Sequence, residues 1–132
     1  NDVYDKIMDS LAEFNQIWAK LAPVLVVIVA DKISAKTGTT NNVYQYDAGQ
    51  AASYLSMQAM EENIYTHQMG GFDKDKMQTI FNIPEQFEPV SVIALGYLGE
   101  LENLPENFQK MEMTERVRKE QSEFVFWNAW GK

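Results

Sequence analysis

Seven residues, Val24-Leu25-Val26-Val27-Ile28-Val29-Ala30, follow Pro23 without a polar interruption. β-Branched side chains are stiff at χ1 and suit a pleated strand. An unbroken run, rather than an alternating one, predicts a strand covered on both faces. As a helix it would be far too short for a bilayer, which takes about 20 apolar residues. A strand of this kind calls for a layered fold in which other elements pack on its sheet.

The flanking segments supply those helices. Val3, Ile7, Leu11, Phe14, Trp18 and Leu21 recur at steps of three or four and predict one amphipathic helix, ended by Pro23. Residues 31–42, with Ser34, Thr37, Gly38, Thr39, Thr40, Asn41 and Asn42, read as a mobile polar loop. From about Tyr44 to Glu62, Ala48, Ala51, Ala52, Leu55, Ala59 and Met60 spread around much of a cylinder, as in a buried central helix. Ile64 to Met69 is a short strand, and Gly70-Gly71 form a turn. Asp73 caps a helix running through Met77, Ile80 and Phe81. Asn82-Ile83-Pro84 breaks the pattern before a strand from Val90 to Leu95, and a short helix is expected from Pro105 to Met111. The order is helix, strand, helix, strand, helix, strand, then an aromatic tail. It describes an α+β fold in one domain, residues 1–132.

Composition excludes several kinds of chemistry. A net charge of −8 argues against nucleic acid and against an anionic membrane surface. Without cysteine there is no disulfide, thiol nucleophile or thiolate metal site, which fits a reducing cytoplasm. His67 is the only histidine, so no metal site with two histidines exists within one chain, and no metal is expected. Neither a Gly-x-Ser-x-Gly elbow nor a P-loop occurs, and the carboxylates are scattered. No catalytic side chain is therefore assigned, and His67 is read as structural.

Two features could hold a ligand instead. Gly70 and Gly71 join a strand to a helix, where backbone N–H groups can approach a flat molecule with no side chain between. A bulky residue at either position would crowd that molecule or force a strained φ, although a Gly-Gly pair by itself marks only a turn. Arg116 and Arg118 stand one residue apart, so an extended backbone would turn both toward one side, where two planar forks could grip a phosphate. The alternative is a solvated basic patch balancing Glu112, Glu115 and Glu120.

Four segments, in this order and at these separations, resemble the nitroreductase family of FMN-dependent oxidoreductases. They are Tyr46-Asp47-Ala48-Gly49-Gln50-Ala51-Ala52, Thr66-His67-Gln68-Met69-Gly70-Gly71-Phe72-Asp73, Pro89 to Tyr97, and Glu115-Arg116-Val117-Arg118-Lys119 followed by Phe124-Val125-Phe126-Trp127. The likeness runs from about Leu11 to Gly131. It implies a nitroreductase-like α+β fold with a mainly antiparallel sheet and helices packed around it. It also implies FMN as cofactor, NAD(P)H as reductant and nitroaromatics, quinones or enones as small-molecule electron acceptors. A cytoplasmic homodimer with FMN at the subunit interface goes with it. By the same resemblance the backbone of Gly70, beside Met69 and Gly71, faces flavin N5, and Arg116, Arg118 and Lys119 hold the phosphate. Asp47 and Gly49 match the family's Asp-x-Gly, for which a structural role in capping and close helix packing is expected. The apolar tail with Trp127 and Trp130 is expected to pack on its own domain or on a partner subunit.

Two departures stand out. Glu120 occupies a position where family members often have proline, which bears on the backbone course at Lys119. The family's opening segment, rich in arginine and serine, and its Pro-Ser and Asn-x-Gln stretches have no counterpart here. The chain therefore reads as the C-terminal two-thirds of a nitroreductase-like domain, or as a noncatalytic flavin-binding or interaction module.

Overall fold

The computed structural model describes residues 2–131 and divides into two compact units, Asn1–Leu98 and Gly99–Lys132. The first holds a three-stranded antiparallel sheet in the order β1-β3-β2, with β1 Val24–Asp31, β2 Tyr65–Met69 and β3 Phe87–Gly96. The expected α+β architecture is present, with helices on both faces. Leu25, Val27, Met69, Val92 and Ala94 share one face with Ile7, Leu11, Ala19 and Met77. These last four come from α1 (Asp2–Ser10), from the link behind it, from α2 (Glu13–Ala19) and from α4 (Lys74–Ile80). The long helix α3 (Tyr44–Glu61) lies against β1 and β2. Gln68 of β2 donates to the Ser56 hydroxyl of α3 at 3.2 Å.

The doubly covered strand is β3, not the Val24 run. Val92 and Ile93 are fully buried, whereas Val24 and Val29 of β1 are 48% and 41% exposed. Being all apolar is not enough: β1 is an edge strand among the described residues, and the helices cover the middle of the sheet. Pro89 in β3 has no N–H to give a ladder. The register accommodates it by a bulge: Ile28 pairs with Ser91 and Val29 with Pro89, leaving Val90 as the extra residue. β2 reaches only Val92, so Pro89 has no second neighbour to satisfy.

The first helix is broken where one continuous helix was expected. Ser10, Leu11 and Ala12 give up helical hydrogen bonds to pair with the glycine turn. Asp73 N–H donates to Ser10 O at 2.8 Å, Ala12 N–H donates to Gly71 O at 2.9 Å, and Leu11 bridges Phe72. A tertiary pairing thus overrides helical periodicity.

α3 is also not buried all round. Its alanines 48, 52 and 59 form the buried stripe, while Tyr46, Tyr54, Met57 and Met60 are exposed. Small residues let the helix approach the sheet, so the large ones are left on the far side. The polar 31–42 segment closes as a small hairpin, with Ile33 bridging Thr40. Asp73 caps α4 as expected, accepting from Lys76 N–H at 2.9 Å.

The second unit contains a 3-10 turn at Leu101–Asn103, α5 at Glu106–Glu112 behind Pro105, and a 3-10 turn at Gln121–Glu123. Phe126 and Trp130 stack with ring centroids 4.8 Å apart. Trp127 and Trp130 are nonetheless 76% and 90% exposed, so burial within the chain does not account for the aromatic tail. Among the described residues no helix is long and apolar enough to cross a membrane.

Candidate functional site

The turn Gly70-Gly71 is held from beneath by its carbonyls. Gly71 O accepts from Ala12 N–H and from the Asn15 side-chain amide, each at 2.9 Å. Gly70 O accepts from Phe72 N–H at 3.2 Å. The N–H groups are different: among the described residues, neither the Gly70 nor the Gly71 N–H finds an acceptor, and both residues are exposed. Peptide donors rarely remain unpaired unless solvent or a ligand takes them.

The two glycines are not equivalent. A Cβ on Gly71 would lie 2.8 Å from Asn15 Nδ2, whereas a Cβ on Gly70 would meet nothing within 4 Å. Neither glycine has positive φ, so the strain expected of a larger side chain does not arise; positive-φ glycines are Gly38 and Gly131. Gly71 is small because α2 approaches it. Nothing within the chain requires Gly70 to be small.

Met69 sits beside this turn with its side chain committed to the core, at 3% exposure. Its carbonyl accepts from Ser91 Oγ at 3.3 Å, and its backbone pairs with Val92 of β3. His67, two residues earlier, packs its ring against Trp18 with centroids 4.4 Å apart.

A groove of about 620 Å³ runs along the first half of α3, lined by Gln45, Tyr46, Gly49, Gln50, Ser53, Tyr54 and Gln68. Its lining is neutral, made of amides, phenols and a hydroxyl. Gly49 faces open space, with nothing within 4 Å of a Cβ placed there. Among the described residues no close helix packing accounts for Gly49. The residues of α3 that touch the sheet are its alanines. Asp47 lies in the first turn of α3, where a carboxylate favours the helix dipole.

At the head of α3, the Glu88 carboxylate gathers three donors: Lys74 Nζ at 2.7 Å, Tyr44 OH at 3.1 Å and Gln45 Nε2 at 3.4 Å. The Lys74 hydrogen bond holds Glu88 below its ordinary pKa, and accepting the Tyr44 hydroxyl proton raises Tyr44 in turn. Sequence reasoning missed this cluster, as it missed Ala12 and Asn15. Nothing local to Glu88 distinguishes it from the other scattered carboxylates.

Arg116, Arg118 and Lys119 lie in the second unit, on an irregular exposed segment between α5 and the last 3-10 turn. Among the described residues none of the three is in an ion pair with Glu112, Glu115 or Glu120. Arg118 donates only to the neighbouring Val117 carbonyl, at 2.9 Å. Glu120 forms a capping box with Glu123 that opens the 3-10 turn, its N–H donating to Glu123 Oε1 at 3.1 Å. The donor that proline would lack is used here to end the basic segment.

Comparison with known proteins agrees with this architecture. The Nitroreductase family profile matches residues 2–97, and the chain belongs to that family. An oxidoreductase of known structure containing FMN is 28% identical and superposes with a TM-score of 0.87, covering 98% of this chain and 67% of its own. A nitroreductase family protein from Clostridium difficile 630 shares the fold at 20% identity and a TM-score of 0.70, over 98% of this chain and 69% of its own. An uncharacterized 15.4 kDa protein of Mycolicibacterium smegmatis is 28% identical over 114 residues, 86% of this chain and 76% of its own length.

Proposed function

We propose that the chain works as an FMN-dependent oxidoreductase, drawing hydride from NAD(P)H and delivering it to a nitroaromatic, quinone or similar small acceptor. The carrying observation is the exposed Gly70-Gly71 turn: among the described residues neither N–H has an acceptor, and nothing lies within 4 Å of a Cβ placed on Gly70. The similar oxidoreductase that contains FMN supports the choice of cofactor.

The residues present fit such a group. A bound flavin would supply hydride acceptance and release at N5. The Gly70 N–H would donate toward that atom, with Gly71 and the Met69 backbone beside it. Because Ala12 and Asn15 already fix the Gly71 carbonyl, the donor is set before any ligand arrives, which is what electrostatic stabilisation requires. Arg116 and Arg118, in no ion pair among the described residues, would take the phosphate as planar forks, and Lys119 would add a point charge. No side chain is asked to act as nucleophile or base, in keeping with chemistry carried by a cofactor.

Homodimerisation belongs to the same proposal. Tyr46, Tyr54, Met57 and Met60 leave one side of α3 apolar and exposed, a surface that a second copy would cover. Sedimentation of the purified chain should give twice the monomer mass.

Gly70→Val tests the reading directly. Among the described residues nothing lies within 4 Å of a Cβ placed there, so thermal stability should hold while FMN content falls; a variant with normal flavin content would sink the assignment. The exposed face of α3 and the exposed tail also favour a second reading, a noncatalytic interaction module. A colourless dimer that takes up no FMN and does not oxidise NAD(P)H would establish it.

A further inference from the structure

The alternation of β2 runs on into the glycine turn and gives Gly70 a neighbour on its open side. Successive side chains of a strand point to opposite faces, so residues two apart share a face. Met69 lies in the core with Ile7, Leu11 and Met77, and a Cβ on Gly71 would meet Ala12 and Asn15, so both face the side of α1 and α2. Gln68 faces the other side, where it bonds Ser56 of α3. Gly70 shares that face, with nothing within 4 Å of a Cβ placed there. The Gln68 amide also has a direction. Ser56 Oγ donates its one proton to Ala52 O at 2.9 Å, so it can only accept from Gln68, whose Nε2 stands 3.2 Å away. Nε2 is thereby committed to α3, and among the described residues Gln68 Oε1 accepts no hydrogen bond.

We infer that Gln68, held by Ser56, contacts the flavin ring seated over Gly70, and that its carbonyl oxygen favours the reduced form of the cofactor. The inference rests on the flavoenzyme reading above. N5 of oxidised FMN has a lone pair and no proton, so it takes the Gly70 N–H and is repelled by a carbonyl oxygen. In reduced FMN the same nitrogen carries a hydrogen, which an amide oxygen accepts. Neighbours on one face of a strand stand about 7 Å apart, a distance that the long glutamine side chain covers. Gly70 would thus orient N5, and Gln68 would set how readily the ring is reduced. Ser56 is a positioning residue, because it leaves Gln68 one way to offer its oxygen.

The test uses the full chain loaded with FMN, with the midpoint potential of the bound flavin read by equilibration against a reference dye. Gln68→Leu removes the oxygen. The preference for reduced over oxidised FMN should fall about tenfold, the scale of one hydrogen bond, which lowers the potential by about 30 mV for a two-electron couple. Gln68 is exposed, so this variant should fold as wild type does, which a urea melt checks. Ser56→Ala releases the amide and should lower the same preference about threefold. Ser56→Thr keeps the hydroxyl and should hold the wild-type potential. A Gln68→Leu protein that binds FMN at the wild-type potential overturns the inference, even with a lower affinity, and leaves the flavoenzyme reading in place. A wild-type chain that takes up no FMN overturns the two together.

Discussion

The glycine turn and the basic segment are proposed to grip the two ends of one cofactor, yet they are built in opposite ways. Gly70 and Gly71 are fixed by contacts far away in sequence: Ala12, Asn15 and the Ser10–Asp73 pairing hold the carbonyl side and leave the N–H side free. Arg116, Arg118 and Lys119 are held by little beyond their neighbours in sequence, with one guanidinium bonded to the adjacent carbonyl. A donor that must meet a ring edge at a defined place gains from being rigid. Long cationic side chains that follow a doubly charged phosphate need reach and freedom from competing carboxylates. Preorganisation is concentrated where direction matters and is absent where charge alone suffices.

That contrast predicts different failures. Gly71→Val should be the most damaging change. Its Cβ would start 2.8 Å from Asn15 Nδ2, and the displaced amide would lose its bond to Gly71 O. The amide is the end of a side chain and can swing aside, so the cost is chiefly the lost bond, about 1.5 kcal/mol of unfolding free energy in urea melts; a variant as stable as wild type would mean that the turn is not held from α2. Gly70→Val, one residue away, should melt with wild type. The arginines should behave in reverse. Replacing Arg116 and Arg118 together by alanine should leave stability within about 0.5 kcal/mol, as for exposed positions. FMN affinity should fall by about tenfold or more, as expected when charge-assisted bonds to phosphate are removed. Unchanged affinity in a chain that binds FMN would break the comparison.

How much of this could be read from the residues alone follows the same division. The turn, its Asp73 cap and the strand before it were legible because local chemistry dictates them: glycines, a capping carboxylate and a hydrophobic change of period. The Arg116-Val117-Arg118 spacing was legible for the same reason. What the sequence hid was tertiary. The break after Ser10 carries no glycine or proline, because the cause lies 60 residues away in the glycine turn. The Val24–Ala30 run looked doubly covered because composition reports apolarity and not position in a sheet. The central place went to β3, whose own sequence is interrupted by Glu88, Pro89 and Ser91. Gly49 matched a motif, yet among the described residues a Cβ placed there would meet nothing within 4 Å, since a motif gives spacing and not surroundings.

A smaller effect tests whether the turn is secured from its helix side as well. Asp73 Oδ1 accepts the Lys76 N–H at 2.9 Å, and its own N–H is bonded to Ser10 O. Asp73→Ala removes the first bond and keeps the second. A loss of about 1 kcal/mol is expected, the usual worth of such a cap. Hydrogen exchange should quicken at Lys76 while the Asp73 amide stays protected. Equal acceleration at both would show cap and turn to be one cooperative unit.

The smallest effect is a pH dependence, and its sign can be worked out. Glu88 in the folded chain is held below its ordinary value of 4.5, chiefly by the hydrogen bond from Lys74, with Tyr44 and Gln45 acting in the same direction against partial desolvation. A carboxyl group with a depressed folded pKa binds its proton more readily when unfolded. Its contribution is therefore complete above the unfolded value and lost as pH falls through the folded one. Wild type should exceed Glu88→Gln by a constant margin at neutral pH, about 0.5 kcal/mol for a pair whose lysine side chain is nearly half exposed. The margin should close only below the ordinary carboxylate range, and added salt should shrink it. A margin that persists at low pH would mean that Glu88 joins Tyr44 and Gln45 of α3 to Lys74 of α4 by shape and hydrogen bonding rather than by its charge.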